Sequence, residues 1–281
     1  MNLHTKPKII AEIASSHNGD IELGKKMIRE AAATGVDIVK FQSWQSKNVN
    51  DDDPDKKRYQ SLELSDEAHR IFKEECEKHN VEFLTTCYDR ERIHFLKKLG
   101  LKKIKVASTD LKHFKFLQEL RDNFEEVIAS TGMTTKEEIE KAISILKTGS
   151  FTIMHCVSVY PCPIEKANLG KLLWLKTKTS HVGYSDHVHG IEAAVIALGM
   201  GVEYLEKHFT LDRATPQLAH TVGEGMEPIT THTIADEPQV FKELCYWRDF
   251  YITSLGTGSL ELLPEEILTR NKYTGRLGKN K

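Results

Sequence analysis

Short runs of β-branched and apolar residues alternate along this chain with longer stretches in which apolar positions recur every three to four residues. The alternation opens with a run at 9–13, an amphipathic stretch at 21–33 and a second run at 37–42, which together predict a β-α-β unit. Further runs at 81–86, 103–108, 125–130, 151–155, 181–185 and 202–206 bring the predicted strands to eight. Between them Ile71, Phe72 and Cys76 share one helical face, and Ile191, Ala194, Val195 and Leu198 share another. Thr135 with Glu138 predicts a capping box ahead of Ile139, Ala142, Ile143 and Leu146. Eight strands separated by helices predict an α/β chain, a single (β/α)8 TIM barrel over 1–263, with a basic, solvated tail at 264–281. A doubly wound open sheet is the alternative. Two segments interrupt the repeat: a polar loop at 45–60 and a glycine-containing loop at 217–231. Both would lie where barrels build their sites, as a lid or substrate loop.

Composition narrows the class. The 281 residues carry 39 Lys and Arg against 41 Asp and Glu, a net charge of −2 that argues against nucleic-acid or acidic-membrane partners. An apolar fraction of 40% and a charged fraction of 28% suit a globular chain with a substantial core. No window approaches the roughly 18 apolar residues of a membrane helix, and the first residues lack a signal-peptide core, so the expected compartment is the cytoplasm. Five scattered cysteines (Cys76, Cys87, Cys156, Cys162, Cys245) read as reduced thiols.

In such a barrel the chemistry sits at the C-terminal ends of the strands. Polar residues collect there in every strand: Glu12; Lys40 and Gln42; Thr86; Lys105 and Ser108; Ser130; Ser158 and Tyr160; Ser185 and His187; Glu206 and His208. Lys40, set among Ile38, Val39 and Phe41, should be buried and needs an anion; Glu12 or Glu206 would serve if its role is structural. Lys105 stands beside Lys102 and Lys103, which suggests a solvated run as readily as a site. Two buried lysines among the hydroxyls of Thr86, Ser108, Ser130 and Ser185 suit a phosphate or carboxylate. The Ser130-Thr131-Gly132-Met133 turn, read as running directly into a helix, would add backbone N–H groups and a helix N-terminus. A small phosphorylated acid is the implied ligand. His187 and His208, with Asp186 and Glu206 nearby, suit one divalent ion with open positions. His155, Cys156 and Cys162 read as packing.

The string 11–20 (Ala-Glu-Ile-Ala-Ser-Ser-His-Asn-Gly-Asp) and Val39-Lys40-Phe41-Gln42 resemble the sialic acid synthase family, also called the N-acetylneuraminate or nonulosonate synthases. Further matches follow in order: 83–86, 105–108, 130–133, His155-Cys156 with Tyr160-Pro161, 183–187 and 206–213, so the resemblance covers roughly 8–216. It implies a barrel enzyme that condenses phosphoenolpyruvate with the open-chain aldehyde of an acylamino hexose, giving a nine-carbon 2-keto-3-deoxy acid and phosphate. Carried over, Lys40, Thr86, Lys105, Ser108, Ser130, Ser158 and Ser185 would hold phosphoenolpyruvate, and His187 and His208 would hold Mn2+, or Mg2+ or Co2+. Glu12, Gln42, Tyr160 and Glu206 would face the acceptor sugar. The implied assembly is a homodimer.

Three departures accompany the match. Ser158 stands where the family commonly has Asn. After Pro216 the usual Gly-Pro-Asp-His run is replaced, which puts Ala219 where an acceptor-binding carboxylate is expected and leaves Glu224 as its substitute. Family members typically continue into an antifreeze-like C-terminal domain that brings an arginine to the acceptor; here the sequence runs to Lys281 without it, and Arg270 or Arg276 is the stand-in. The expectation is condensation with an altered acceptor. Two rivals remain: an aldolase that forms a Schiff base on Lys40 or Lys105, and a non-catalytic barrel subunit.

Overall fold

The alternating runs close on themselves. In a computed structural model, which describes residues 6–217, 219 and 228–276, eight parallel strands form a closed barrel in sequence order. They are β1 Lys8–Ala14, β2 Ile38–Ser43, β3 Glu82–Cys87, β4 Lys103–Val106, β5 Glu126–Ser130, β6 Ser150–Cys156, β7 Val182–Asp186 and β8 Tyr204–His208. Closure comes from β1 pairing with β8, Lys8 opposite Tyr204 and Glu12 opposite His208, and it excludes the open doubly wound sheet.

Helices α1 Ile21–Ala33, α2 Lys56–Leu62, α3 Asp66–Lys78, α4 Arg90–Lys98, α5 Phe114–Asn123, α6 Lys136–Leu146, α7 Gly170–Lys176, α8 Glu192–Gly199 and α9 Pro238–Leu255 follow the strands, and α10 Pro264–Tyr273 lies last. The predicted faces are the buried ones: Phe72 and Cys76 in α3, Ala194 and Leu198 in α8. The capping box is present, with Thr135 Oγ1 accepting from the Glu138 N–H and Glu138 accepting from the Thr135 N–H.

One expectation needs correction. The 45–60 segment is not wholly a loop: it holds a 3-10 turn at Ser46–Asn48 and most of α2, because Arg58 and Leu62 bury one side of a helical turn. The 264–281 segment carries the exposed helix α10.

Strand parity stacks the barrel interior in layers. Ile10, Ile38, Leu84, Ile128, Met154 and Tyr204 form a buried apolar layer across the middle. One residue pair further along, Glu12, Lys40, Thr86, Lys105, Ser130 and Glu206 form a polar layer at the C-terminal end. The opposite parity packs outward against the helices as the main core. Lys103 shares the parity of Lys105 but lies below the apolar layer, where Glu82 holds it at 3.0 Å.

Candidate active site

The polar layer surrounds a cavity of about 110 Å³. Its wall includes Glu12, Lys40, Gln42, Thr86, Lys105, Ser108, Ser130, Ser158, Tyr160, Ser185, His187, Glu206 and His208, the side chains that the resemblance assigned to phosphoenolpyruvate, the acceptor and the metal. Lys105 is 2% exposed, which removes the solvated-run reading. Ser108 arrives differently from its prediction, because β4 ends at Val106 and Ser108 opens a 3-10 turn. Tyr88, Ala107, Thr109 and Met133 complete the wall and were not foreseen.

The cavity is lined by two ammonium groups and two carboxylates. Lys40 pairs with Glu12, lies 3.3 Å from Glu206 Oε2, and donates to Thr86 Oγ1 at 3.0 Å. The structural ion pair weighed for Lys40 is therefore formed, within the site itself. Lys105 donates to Ser130 Oγ at 2.5 Å and to the Val106 carbonyl at 3.2 Å, with Glu206 Oε1 at 3.8 Å. Ser185 Oγ donates to Glu206 Oε1 at 2.9 Å. Burial pushes both acids up; for Glu206 the two lysines outweigh it and hold the carboxyl well below its ordinary value, while Glu12 stays raised. Burial, reinforced by neighbouring Lys40, lowers Lys105. Both Glu12 oxygens, Glu206 Oε2 and Ser158 Oγ are buried without a hydrogen-bond partner of good geometry among the described residues. Buried acceptors in that state favour a ligand that brings donors.

The turn after β5 contributes less than expected. Three residues separate Gly132 from the first residue of α6, and that helix start is already closed by its own capping box, so its N–H groups do not reach the cavity. Gly132 matters for space: a Cβ there would stand 2.2 Å from Ser158 Oγ and 2.8 Å from Ser108 Oγ. Met133 next to it holds φ at 57°, a left-handed conformation costly for a side chain of that size.

His187 and His208 close one side, with ring centroids 5.5 Å apart and Tyr160 packed 4.1 Å from the first and 6.1 Å from the second. His187 Nδ1 faces the Val157 carbonyl at 2.7 Å, which leaves Nε2 as its free nitrogen. His208 Nδ1 is buried without a partner, and burial lowers this imidazole to about 3, so it stands neutral as a ligand must. Among the described residues no third His, Cys, Asp or Glu joins them in a metal-holding group. The pair fits an ion that keeps positions for water and substrate, and not a closed structural site. Asp186 does not join in. Strand parity turns it outward, where its Oδ1 accepts from Tyr184 and the Val188 N–H and its Oδ2 from Lys207. His155 and Cys162 take no part in the cavity, as expected, whereas Cys156 Sγ comes within 3.9 Å of His187 Nδ1.

The cavity opens into a pocket of about 580 Å³ that shares Gln42, Ser158, Tyr160 and His208 and adds Ser15, Trp44, Arg58, Tyr59, Thr231 and Ile234. Arg58 and its neighbours escaped the sequence reading because 45–60 shows no periodicity. The loop after β8 is fastened here: Gln217 Nε2 donates to Asn18 Oδ1 at 2.7 Å, and Gln217 Oε1 accepts from Thr231. Neither Arg270 nor Arg276 lines either cavity; both belong to the exposed α10 segment. Ala219 is exposed, and Glu224 lies outside the described residues. No described helix is long and apolar enough to cross a membrane.

Comparison with known proteins places this geometry. The N,N'-diacetyllegionaminic acid synthase of Campylobacter jejuni is 35% identical over 261 residues, covering 85% of this chain and 75% of that protein. The N-acetylneuraminate-9-phosphate synthase of Drosophila melanogaster is 30% identical, over 93% of this chain and 71% of its own length. The crystal structure of N-acetylneuraminic acid (sialic acid) synthetase from Leptospira borgpetersenii in complex with citrate superposes with a TM-score of 0.84 at 32% identity, covering 96% of this chain and 93% of that one. The NeuB family model matches residues 27–239. With a shared barrel and similarity over most of its length, the chain is an enzyme of the sialic acid synthase type and belongs to the NeuB family.

Proposed function

We propose that this chain condenses phosphoenolpyruvate with an aldose, N-acetylmannosamine or a related acylamino sugar, to give a 2-keto-3-deoxy sugar acid of the nonulosonic type and phosphate. The observation that carries this reading is the small cavity ringed by Lys40, Lys105 and the hydroxyls of Thr86, Ser108, Ser130, Ser158 and Ser185, opening beside the two imidazoles of His187 and His208 into a sugar-sized pocket. In the reaction, carbon 3 of the enol bonds to the aldehyde carbon, water adds at carbon 2, and the C–O bond to phosphate breaks. Lys40 and Lys105, with Thr86, Ser108, Ser130 and Ser185, bind the phosphate and carboxylate and neutralise the charge that grows on the leaving group. Glu12, raised by burial beside Lys40, orients the acceptor hydroxyls or the attacking water and can take up its proton. Gln42, Tyr160 and Glu206 position the acceptor at the cavity lip. A divalent ion held by His187 and His208, Mn2+ in first place with Mg2+ or Co2+ as alternatives, would supply Lewis acidity for the aldehyde oxygen.

The Schiff-base alternative is disfavoured at Lys40, whose ammonium faces Glu12, Glu206 and Thr86 and, although burial pulls the other way, is held above its ordinary value by those carboxylates. Lys105, lowered by burial, is the lysine on which that alternative would rest. The test is phosphate release from phosphoenolpyruvate with Mn2+ present or chelated, against N-acetylmannosamine, its diamino-dideoxy relatives and plain aldoses, with product masses. Metal-dependent release matched by an adduct heavier by the pyruvate unit supports the reading. Borohydride trapping of pyruvate without metal would replace it with the aldolase, and no phosphoenolpyruvate binding would leave a non-catalytic barrel.

A further inference from the structure

The outer pocket holds a cation for which the condensation itself has no use. Arg58, in α2, is 9% exposed. Its only polar side-chain contact among the described residues is Nη2 to Ser15 Oγ, at 3.5 Å. Its guanidinium carbon lies 6.0 Å from the Tyr59 ring centroid, and among the described residues its Nε–H is buried without a partner. Asp55 is on the same wall, yet no ion pair joins the two. The other buried arginines are treated differently by the fold: Arg92 meets Asp66 at 2.6 Å, and Arg248 meets Asp37 at 2.6 Å. A buried guanidinium without a carboxylate is costly unless something arrives to pair with it. Burial lowers Arg58 from its ordinary value, in keeping with that deficit.

Its position says what arrives. The reacting aldehyde belongs at the lip shared by both cavities, beside Gln42, Tyr160 and His208, and the rest of an extended hexose must run outward into the pocket where Arg58 waits. Inside, Lys40 and Lys105 are the cations assigned to phosphoenolpyruvate, so a second anion on the acceptor needs a cation of its own. We propose that Arg58 reads an anionic group at the end of the acceptor remote from its aldehyde, so that the preferred acceptor is a sugar phosphate or a sugar acid and not a neutral sugar. Phosphate esters and carboxylates both present a pair of anionic oxygens that the planar guanidinium fork binds bidentately. This inference rests on the condensation reading and names the acceptor class for it.

The experiment compares wild type, Arg58→Gln and Arg58→Lys with phosphoenolpyruvate and Mn2+. The acceptors are N-acetylmannosamine, its 6-phosphate and its 6-carboxylate, read by phosphate release and product mass. Melting temperature is recorded for each variant, and Arg58→Lys serves if Arg58→Gln does not fold. Wild type is expected to favour one anionic acceptor at least about tenfold in kcat/KM, mostly through KM, and the acceptor that wins tells phosphate from carboxylate. Arg58→Gln should bring the ratio of anionic to neutral acceptor close to one, and Arg58→Lys should restore part of it. Release with a ratio that favours the neutral sugar, or that Arg58→Gln leaves unmoved, overturns the role of Arg58 and keeps the condensation. No release with any acceptor from folded wild-type protein overturns the condensation reading, and this inference with it.

Discussion

Strand β8 sets two lysine–carboxylate clusters back to back. On its inner face Glu206 meets Lys40 and Lys105. On its outer face Lys207, the next residue, lies between Asp186 at 3.0 Å and Asp236 at 2.9 Å and donates also to the Val188 carbonyl. The composition is alike, but the satisfaction is not. Lys207 donates to Asp186 and to the Val188 carbonyl with Asp236 at ion-pair distance, and Asp186 has a partner for each oxygen. Inside the barrel, both Glu12 oxygens and Glu206 Oε2 lack a well-aligned donor. Buried ion pairs hold their place only when their remaining lone pairs are met. The outer cluster is scaffold, joining β7, β8 and the segment before α9 behind the two imidazoles; the inner one is left open for a ligand.

The sharpest way to break that contrast is to remove one lysine from each cluster. Lys105→Met should lower kcat/KM by about 10³-fold or more, roughly 4 kcal/mol of transition-state stabilisation, without lowering the urea midpoint. An inactive and strongly destabilised variant would make Lys105 scaffold too. Lys207→Met should cost about 3–5 kcal/mol in urea unfolding, because two buried carboxylates lose their counter-charge. A loss below about 1 kcal/mol would show that the outer cluster is dispensable.

Buried imidazoles give a third, smaller effect. His17, packed against the stacked rings of Phe41 and Phe72, and His69 are held neutral by burial, lowered to about 3 and about 4. The unfolded chain binds these protons first, so stability is full above about pH 6.5 and falls as pH drops towards 4, by on the order of 3 kcal/mol for each ring. Urea midpoints measured from pH 7 to pH 4 check this; a flat profile would mean that both rings escape burial. Smallest is Ser185→Ala, which removes one donor from Glu206 and should slow turnover about tenfold, close to 1.4 kcal/mol, read by steady-state kinetics. A loss as large as that of Lys105→Met would put Ser185 on a par with the lysines in holding phosphoenolpyruvate.

Much of this was legible because a barrel strand obeys a period of two. Once β1 to β8 are placed, parity sends Glu12, Lys40, Thr86, Lys105, Ser130 and Glu206 to one layer, and their polarity marks the open end. Where period fails, so does the reading. Arg58 sits in an aperiodic polar segment whose short helix forms only against the body of the barrel. Asp186 was grouped with the histidines by proximity in sequence, although alternation turns it outward. The three residues between Gly132 and α6 depend on where the cap falls, a boundary that composition alone places loosely.

The apolar layer of Ile10, Ile38, Leu84, Ile128, Met154 and Tyr204 is a floor. With the barrel stoppered below, the inner cavity has a single door, and traffic through it becomes a queue. Under the proposed chemistry the phosphorylated acid must go in first, since the sugar, once seated in the outer pocket, blocks its way. The phosphate made at the bottom must wait for the larger product to clear the doorway. Under that proposal, compulsory order and inhibition by excess sugar would follow from the packing of six side chains that line neither substrate's place.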